Sequence, residues 1–348
     1  MSSTVSSVPR RRGAQRASIS DVAKAAGVSL GTVSNVLNRP ERVATPTRDK
    51  VLAAIEALSF VPNGSARQLR AGTITTVGAI VPDIGNPYST ELARGIEDRL
   101  ATADRTLMLA SSDEDPAREA RHLRLFEEHG VLGVLVTPAG PDVDHLLQLR
   151  RRGTDVVLLD RTSPHPEISS VSVDDVAGAA MAVTHLLEQG HDRVAMINGT
   201  PGTRRRADGR AGALRALREA GLDPATALVE VTVPTLDADG GVTGASQLLE
   251  TGDHPSAIFC VNDHTALGAM RALRAHGLRI PQDVAVVGYG DADVASMLMT
   301  PLTSVRRPTR RIGEIAADLL LRSTDPGTTE AQQVEFTPEL VVRTSSTR

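Results

Sequence analysis

Apolar and polar positions follow two rhythms along the chain, and the change comes near Gly72. Before it, three short helical stretches share one apolar face. Ser20 is placed to cap a helix over Asp21–Ala26, and Gly27 is free to end it with positive φ. Ser29 caps a second helix to about Leu37, and Thr45-Pro46 opens a third that reaches Leu58. Val22, Ala25, Val28, Val33, Leu37, Val51, Ile55 and Leu58 are the expected minimal core.

After Gly72, short β-rich runs alternate with amphipathic helical stretches: TVGAIV, TLMLA, VLGVLV, DVVLL, RVAMI, ALVEVTV, AIFCV and DVAVVG. Continuous apolar strands separated by helices predict parallel sheets covered on both faces. Eight such strands make either one barrel or two doubly wound lobes. The Pro-rich stretch SPHPEISSV at 163–171 falls between the fourth and fifth, which favours two lobes. Segments 301–308 and 334–343 are left as further crossings or edge strands. The expected organisation is a basic disordered tail over 1–17, a head over 18–62, a linker over 63–72 and a core over 73–343. Within the core, one lobe takes 73–172 plus 304–332 and the other 173–303 plus 333–343.

Composition sharpens this picture in three ways. With four Phe, two Tyr and no Trp in 348 residues, the core must be aliphatic. The first 72 residues hold 11 Lys and Arg against 4 Asp and Glu, the remainder 27 against 38. A basic head on an acidic body points to a polyanion met by the head alone. Cys260 is a lone cysteine in an apolar run, expected as a buried inert thiol. No apolar stretch follows the basic N-terminus, and no window approaches the ~18 apolar residues of a membrane span, so a cytoplasmic protein without membrane contact is expected.

The run from Ser18 to Asn38 is the most specific signal. A helix, a Gly-containing turn and a second helix set one short helix across another, so that it can enter a major groove. On that second helix Val33, Val36 and Leu37 face inward, while Leu30, Gly31, Ser34, Asn35 and Asn38 lie outside. Asn can pair with adenine, hydroxyls reach phosphates, and Leu can touch a thymine methyl.

This segment resembles the head of the LacI/GalR family of bacterial repressors. The resemblance continues through TPTRDKVLAAIEALSFVPN, HLLEQGHDRVAMING, NDHTALGAMRALRAHGLRIPQDVAVVGYGD and TPLTSVRRP, about 330 residues in all. It implies an all-α helix-turn-helix head joined to a two-lobed α/β core of the periplasmic-binding-protein type. It also implies a DNA-binding transcriptional regulator, a repressor, controlled by a sugar or sugar-like metabolite. The alternative is a solute-binding protein without a regulatory role.

By the same resemblance, base-facing positions fall on Leu30, Gly31 and Asn35. Phosphate contacts fall near Ile19, Ser29, Thr32, Ser34, Asn38 and Thr47. The stretch 63–70 resembles the family's hinge helix, with Leu69 as the minor-groove wedge and Arg70 beside it. Two hinges meeting at a dyad imply a homodimer on a pseudo-palindrome. A C-terminal tetramerisation helix is not expected, since only a Ser/Thr tail follows Arg343.

Ligand contacts in such a core lie at the C-terminal ends of strands. Asp83, Asn86, Tyr88, Thr137, Asp160, Asn262, Asp263 and Asp291 qualify by that rule. Two departures from the family's pattern stand out. Gly209 occupies the place of a usual Arg, and Gly290 that of a usual Asp or Asn. Arg206, Arg210 and Asp291 are near enough to substitute. The run Arg204-Arg205-Arg206 is open to two readings, a carboxylate or phosphate site and a solvated face. No G-x-S-x-G, H-E-x-x-H, P-loop or paired-Cys spacing is present, so neither an enzyme nor a metal or cofactor site is expected.

Overall fold

In a computed structural model the protein is described over residues 17–60, 75–200, 204–250, 255–324 and 330–347, the side chains of Arg204 and Arg205 excepted. The basic tail before residue 17 and the segment 63–72, with Leu69 and Arg70, lie outside the described residues. The chain divides into two compact units, Met1–Ile74 and Thr75–Arg348.

The first unit holds α1 (Ile19–Ala26), α2 (Leu30–Asn38) and α3 (Thr45–Ala57). Ser18, rather than Ser20, caps α1. Its hydroxyl accepts from the Asp21 N–H while the Asp21 carboxylate accepts from the Ser18 N–H at 2.8 Å. This reciprocal box draws the helix start back by two residues. Gly27 ends α1 at φ 65°. Thr45 is the first residue of α3 and caps nothing. The core is Val22, Ala23, Val33, Val36, Val51 and Ala54, with Ile19, Val28, Leu37 and Ile55 packed against it. Ala25 and Leu58, expected inside, are exposed.

The second unit runs β1 (Thr76–Val81), α4 (Pro87–Ala101), β2 (Thr106–Ser111), α5 (Pro116–Glu128), β3 (Gly133–Val136), α6 (Asp144–Arg151), β4 (Asp155–Leu159) and β5 (Ser169–Val173). Then follow α7 (Asp175–Glu188), β6 (Val194–Gly199), α8 (Arg204–Glu219), α9 (Pro224–Ala227), β7 (Leu228–Val233), α10 (Ala238–Glu250), β8 (Ala257–Cys260), α11 (Asp263–Ala275), β9 (Ala285–Gly290) and α12 (Asp293–Met297). It ends with β10 (Thr303–Arg306), α13 (Thr309–Ser323), β11 (Gln333–Phe336) and β12 (Glu339–Val341).

Among the described residues the strands form two six-stranded sheets, ordered β11-β5-β4-β3-β1-β2 and β12-β10-β9-β8-β6-β7. Every pairing is parallel except β10 with β12. Each sheet is covered on both faces. Val77, Ala79 and Val81 of β1 pack on α4 and α13, while Ile80 on the other face meets α5 and α6. Gly78 leaves room for Phe126, whose ring stands 2.5 Å from where a Cβ would be. The second sheet is covered likewise by α7 and α8 on one face and α10 and α11 on the other. Two doubly wound lobes result, not a barrel.

The lobe boundaries differ from those expected. β10 pairs with β9 in the second sheet, with Thr303 opposite Val287. β11 pairs with β5 in the first, with Val334 opposite Val171. The chain therefore crosses between lobes at Asp174, at Arg307-Pro308 and at Thr337-Pro338. Proline keeps the residue before it extended, which suits a crossing better than a helix. β5 went unseen because SSVSV is serine-rich, yet it is buried throughout. Two of its hydroxyls accept backbone N–H groups from other segments. Ser170 Oγ accepts from the Ser163 N–H at 3.1 Å and Ser169 Oγ from the Gln332 N–H at 3.0 Å.

The terminal serines are built into the second lobe. Ser345 and Ser346 are fully buried, and Val286 N–H donates to the Ser345 carbonyl at 2.8 Å. Ser346 Oγ donates to Thr303 Oγ1 at 2.6 Å and lies 2.8 Å from His185 Nε2. Burial pushes the His185 imidazole below its ordinary value of 6.5. Below that pH the unfolded chain binds a proton the folded one refuses, so stability falls on acidification and is intact above it. We expect the unfolding temperature to drop as pH falls below 6.5 and the drop to shrink in His185→Gln. Equal pH slopes in both proteins would assign the effect elsewhere.

Candidate functional site

The head presents one helix with an apolar inner face and a polar outer one. Ser29 caps α2, accepting from the Thr32 N–H at 3.1 Å, and its hydroxyl lies 2.9 Å from Thr32 Oγ1. Such a cap contributes about 1 kcal/mol and fixes where the helix begins. Val33 and Val36 are buried, while Leu30 is 51% exposed and Gly31 and Asn35 are exposed. The Asn35 amide makes no hydrogen bond among the described residues, so its donor and acceptor both remain available. Asn38 differs, since its amide donates to the Ser34 carbonyl at 2.8 Å. Thr47 lies half-buried in the first turn of α3. Ile19 opens α1 with its side chain partly packed on the head core, so its backbone N–H at the helix start is the group nearest a phosphate.

Between the two lobes of the second unit lies a cavity of about 410 Å³. Loops at the C-terminal ends of β1, β2, β7, β8 and β9 and the starts of α7 and α8 frame it. Of the residues expected there, Asp83, Asn86, Arg206 and Asn262 line it. Asn86 caps α4 through the Tyr88 N–H, and Asn262 caps α11 through the Thr265 N–H at 2.7 Å. The Asn262 amide also donates to the Leu236 carbonyl at 2.9 Å.

Arg206 lies flat over Gly199, where a Cβ would stand 2.7 Å from its Nε. From there it donates to the Thr200 carbonyl at 2.7 Å and pairs across the cavity with Glu114 of the other lobe. Arg210 pairs instead with Glu230 at 2.8 Å, on the outer side of β7, and does not line the cavity. Gly209 does line it, and a Cβ there would make only ordinary contacts, with Met196 and with Val261 of the cavity wall, so a larger side chain would take up cavity space.

The remaining expected contacts are turned to structural partners. Asp160, its side chain 6% exposed, accepts from Arg307 Nη2 at 2.6 Å, from the Tyr88 hydroxyl and from Thr137 Oγ1 at 3.3 Å. Thr137 and Asp160 thus anchor the inter-lobe crossing and do not line the cavity. Asp263 accepts from Ser304 Oγ at 2.6 Å and from the Ala292 N–H at 2.7 Å, and burial raises its carboxyl. Asp291 lies between Arg306 at 2.7 Å and Arg343 at 2.6 Å. Tyr88 and Asp263 open onto a second cavity of about 520 Å³ beside the first.

Several lining residues escaped the strand-end rule as applied: Glu114, Asp175, Asp237, Phe259 and Tyr289, while Asp113, open to a capping reading, does line the cavity. Asp113 and Asp237 follow β2 and β7 by only a few residues, so the signal was present in the sequence. Asp113 and Glu114 both sit at positive φ, 50° and 56°, the kind of strain that a ligand loop retains.

At the back of the cavity Arg307 is fully buried between Asp160 and Asp175, 3.5 Å from the latter, with the Tyr88 ring 4.4 Å from its guanidinium carbon. The Tyr289 hydroxyl donates to Asp175 at 2.5 Å. Groups from both lobes and two of the crossings meet in this cluster.

Residues 18–63 match the family described as bacterial regulatory proteins, lacI family, and residues 183–346 match a periplasmic binding protein-like domain. The repressor PurR of Photobacterium profundum is 32% identical over 331 residues, covering 94% of this chain and 98% of the relative. The lac repressor dimer bound to operator and the anti-inducer ONPF superposes with a TM-score of 0.79 at 25% identity, covering 96% of this chain and all of that one. The regulator CelR in complex with cellobiose gives a TM-score of 0.70 at 31% identity, covering 95% of this chain and all of that one. A capped, outward-facing second helix, two doubly wound lobes around a cavity, and relatives matched over nearly their whole length converge on one assignment: the chain belongs to the LacI family of bacterial regulatory proteins and is a DNA-binding transcriptional regulator.

Proposed function

We propose that the protein is a repressor that reads a pseudo-palindromic operator as a homodimer and changes its affinity when a small sugar-like metabolite fills the inter-lobe cavity. The observation that carries this reading is the exposed face of α2, where the free Asn35 amide stands beside Leu30 and Gly31. In the reading, Leu30 and Asn35 meet base edges, while Ser29, Thr32, Ser34, Asn38, Thr47 and the Ile19 backbone meet phosphates. Leu69 and Arg70 act in the minor groove between them. Asp83, Asn86, Arg206 and Asn262 contact the metabolite. A regulator of this kind works where the chromosome is, in the cytoplasm.

The test is Asn35→Ala on a duplex selected from a random pool by the wild-type protein. We expect a loss of about 1–3 kcal/mol on the selected duplex, relaxed preference at one base pair, and random DNA bound as before. Equal losses on selected and random DNA would move Asn35 to the backbone set.

A further inference from the structure

We propose that the cavity takes a small organic cation, a metabolite bearing an amine or amidine on a compact body, and turns anions away. This rests on the cavity being the effector site. Among the described residues its lining holds five carboxylates, Asp83, Asp113, Glu114, Asp175 and Asp237, against one cation, Arg206. The carboxylates come from four segments on both lobes, Asp113 and Glu114 sharing one loop, so they converge on the space and do not belong to one solvated helix face.

The partners of these groups decide what is left for a ligand. Arg206 is held by Glu114 and the Thr200 carbonyl, so an incoming phosphate or carboxylate would have to compete with Glu114 for its charge. Asp113 is paired by Arg118 from outside the cavity. Asp175 shares Arg307 with Asp160. Asp83 and Asp237, one from each lobe, have no ion pair among the described residues. They accept only from neighbouring groups, Gly85 N–H to Asp83 and Gly240 N–H and Thr235 Oγ1 to Asp237. The Gly240 N–H holds the Asp237 carboxyl below the ordinary range, so it is ionised at any physiological pH.

The amides add only neutral donors: the Asn86 carbonyl is spent on the Tyr88 N–H, which leaves its NH₂ facing the space. Asn262 spends its carbonyl on a helix cap and its NH₂ on Leu236. The space is therefore richer in anionic acceptors than in cationic donors. An anion would enter against net negative charge between the lobes, whereas a cation would find two carboxylates without an ion pair among the described residues. Phe259, Tyr289, Leu236 and Val261 supply apolar walls for the ligand's body, and aromatic faces tolerate an ammonium.

The experiment uses the full chain and probes matched in skeleton: glucosamine, glucose, gluconate and glucose 6-phosphate, with 1,4-diaminobutane against 1,4-butanediol. Melting temperature and titration calorimetry are read at constant ionic strength. We expect the amines to raise the melting temperature above their neutral partners and the anions to leave it unchanged. Asp83→Asn/Asp237→Asn should weaken the amines by about tenfold or more, and by clearly more than any neutral probe. Asn keeps an oxygen for the Gly85 N–H at 83 and for the Gly240 N–H at 237, so the variant retains its fold. Each single variant repeats the measurement should the pair lose stability.

Gly209→Phe, which fills the cavity from α8, separates the two failures. A neutral or anionic probe that binds better than the amines, and is blocked by Gly209→Phe, overturns the charge inference and leaves the cavity as the effector site. Amine binding untouched by Gly209→Phe overturns the cavity reading itself. No amine-specific shift in the wild-type protein overturns the inference outright.

Discussion

Arg307→Met is expected to cost the protein about 3–5 kcal/mol of stability, read as a lowered urea midpoint. Arg307 is fully buried and faces Asp160 at 2.6 Å and Asp175 at 3.5 Å. Removing it leaves two buried carboxylates without a cation between them. The loss should be mainly electrostatic, because Met fills most of the volume. Adding Asp160→Asn and Asp175→Asn to Arg307→Met should therefore restore most of it, since the Tyr88 and Tyr289 hydroxyls still find amide oxygens. A triple variant as unstable as the single one would show that packing, not charge, governs the cluster.

The cluster links stability to function because its members belong to different moving parts. Asp160 closes a strand of the first lobe, Asp175 opens α7 in the second, and Arg307 lies on a crossing between them. Asp175 also lines the cavity. A ligand that touches Asp175 competes with Arg307 for the same carboxylate, which gives it a differential interaction with two arrangements of the lobes. That is the requirement for a ligand to shift a conformational equilibrium at all. Arg206 and Glu114, both lining the cavity, make a second inter-lobe ion pair.

Much of this architecture was legible in the sequence, for reasons that vary with the element. The inner strands were visible because both sheet faces are covered, so each needs apolar residues at successive positions; the edge strands β2 and β7 are less buried, and β7 carries exposed Glu230 and Thr232. β5 was hidden because its neighbours satisfy serine hydroxyls, a fact that depends on Ser163 and Gln332 elsewhere in the chain. In the head the outer face of α2 was readable from helical spacing, while the start of α1 turned on the Ser18–Asp21 box rather than on Ser20 alone. For the cavity, the strand-end rule found Asp83, Asn86 and Asn262. It overreached at Asp160, Asp263 and Asp291, whose partners Arg307, Ser304 and Arg343 lie far along the chain. Arg206 and Arg210 were indistinguishable from sequence. Gly199 and Glu114 place the first at the cavity, and Glu230 draws the second away.

Gly241→Ala and Gly209→Ala, the same substitution in two helices, should change stability in opposite directions. Helix propensity alone favours alanine by about 0.5–1 kcal/mol at both sites. At Gly209 a Cβ would meet Met196 Cε at 3.6 Å and Val261 Cγ1 at 3.9 Å, ordinary contacts, so the propensity gain should survive. At Gly241 it would stand 2.0 Å from the Thr265 carbonyl oxygen, and the reciprocal site Gly268 is as tight, 1.9 Å from the Ala238 carbonyl. These are backbone atoms of α10 and α11, which cannot swing aside like a side chain. The helices must part by more than an ångström, loosening Ala245, Ala266, Ala269 and Leu273 in the shared core. We expect a net loss of about 3 kcal/mol for Gly241→Ala, overpacking outweighing propensity, and a still larger loss for Gly241→Val. Function should follow the backbone. Asp237 precedes α10 and Asn262 caps α11, and the bond from the Asn262 amide to the Leu236 carbonyl at 2.9 Å ties the two helix starts together. Parting the helices pulls that bond open and moves two walls of the cavity, so ligand affinity should fall along with stability, whereas the operator face of α2 lies in the other unit and should bind as before. A Gly241→Ala protein as stable as Gly209→Ala would mean that α10 and α11 have slack between them, and the coupling of their packing to the cavity would be wrong.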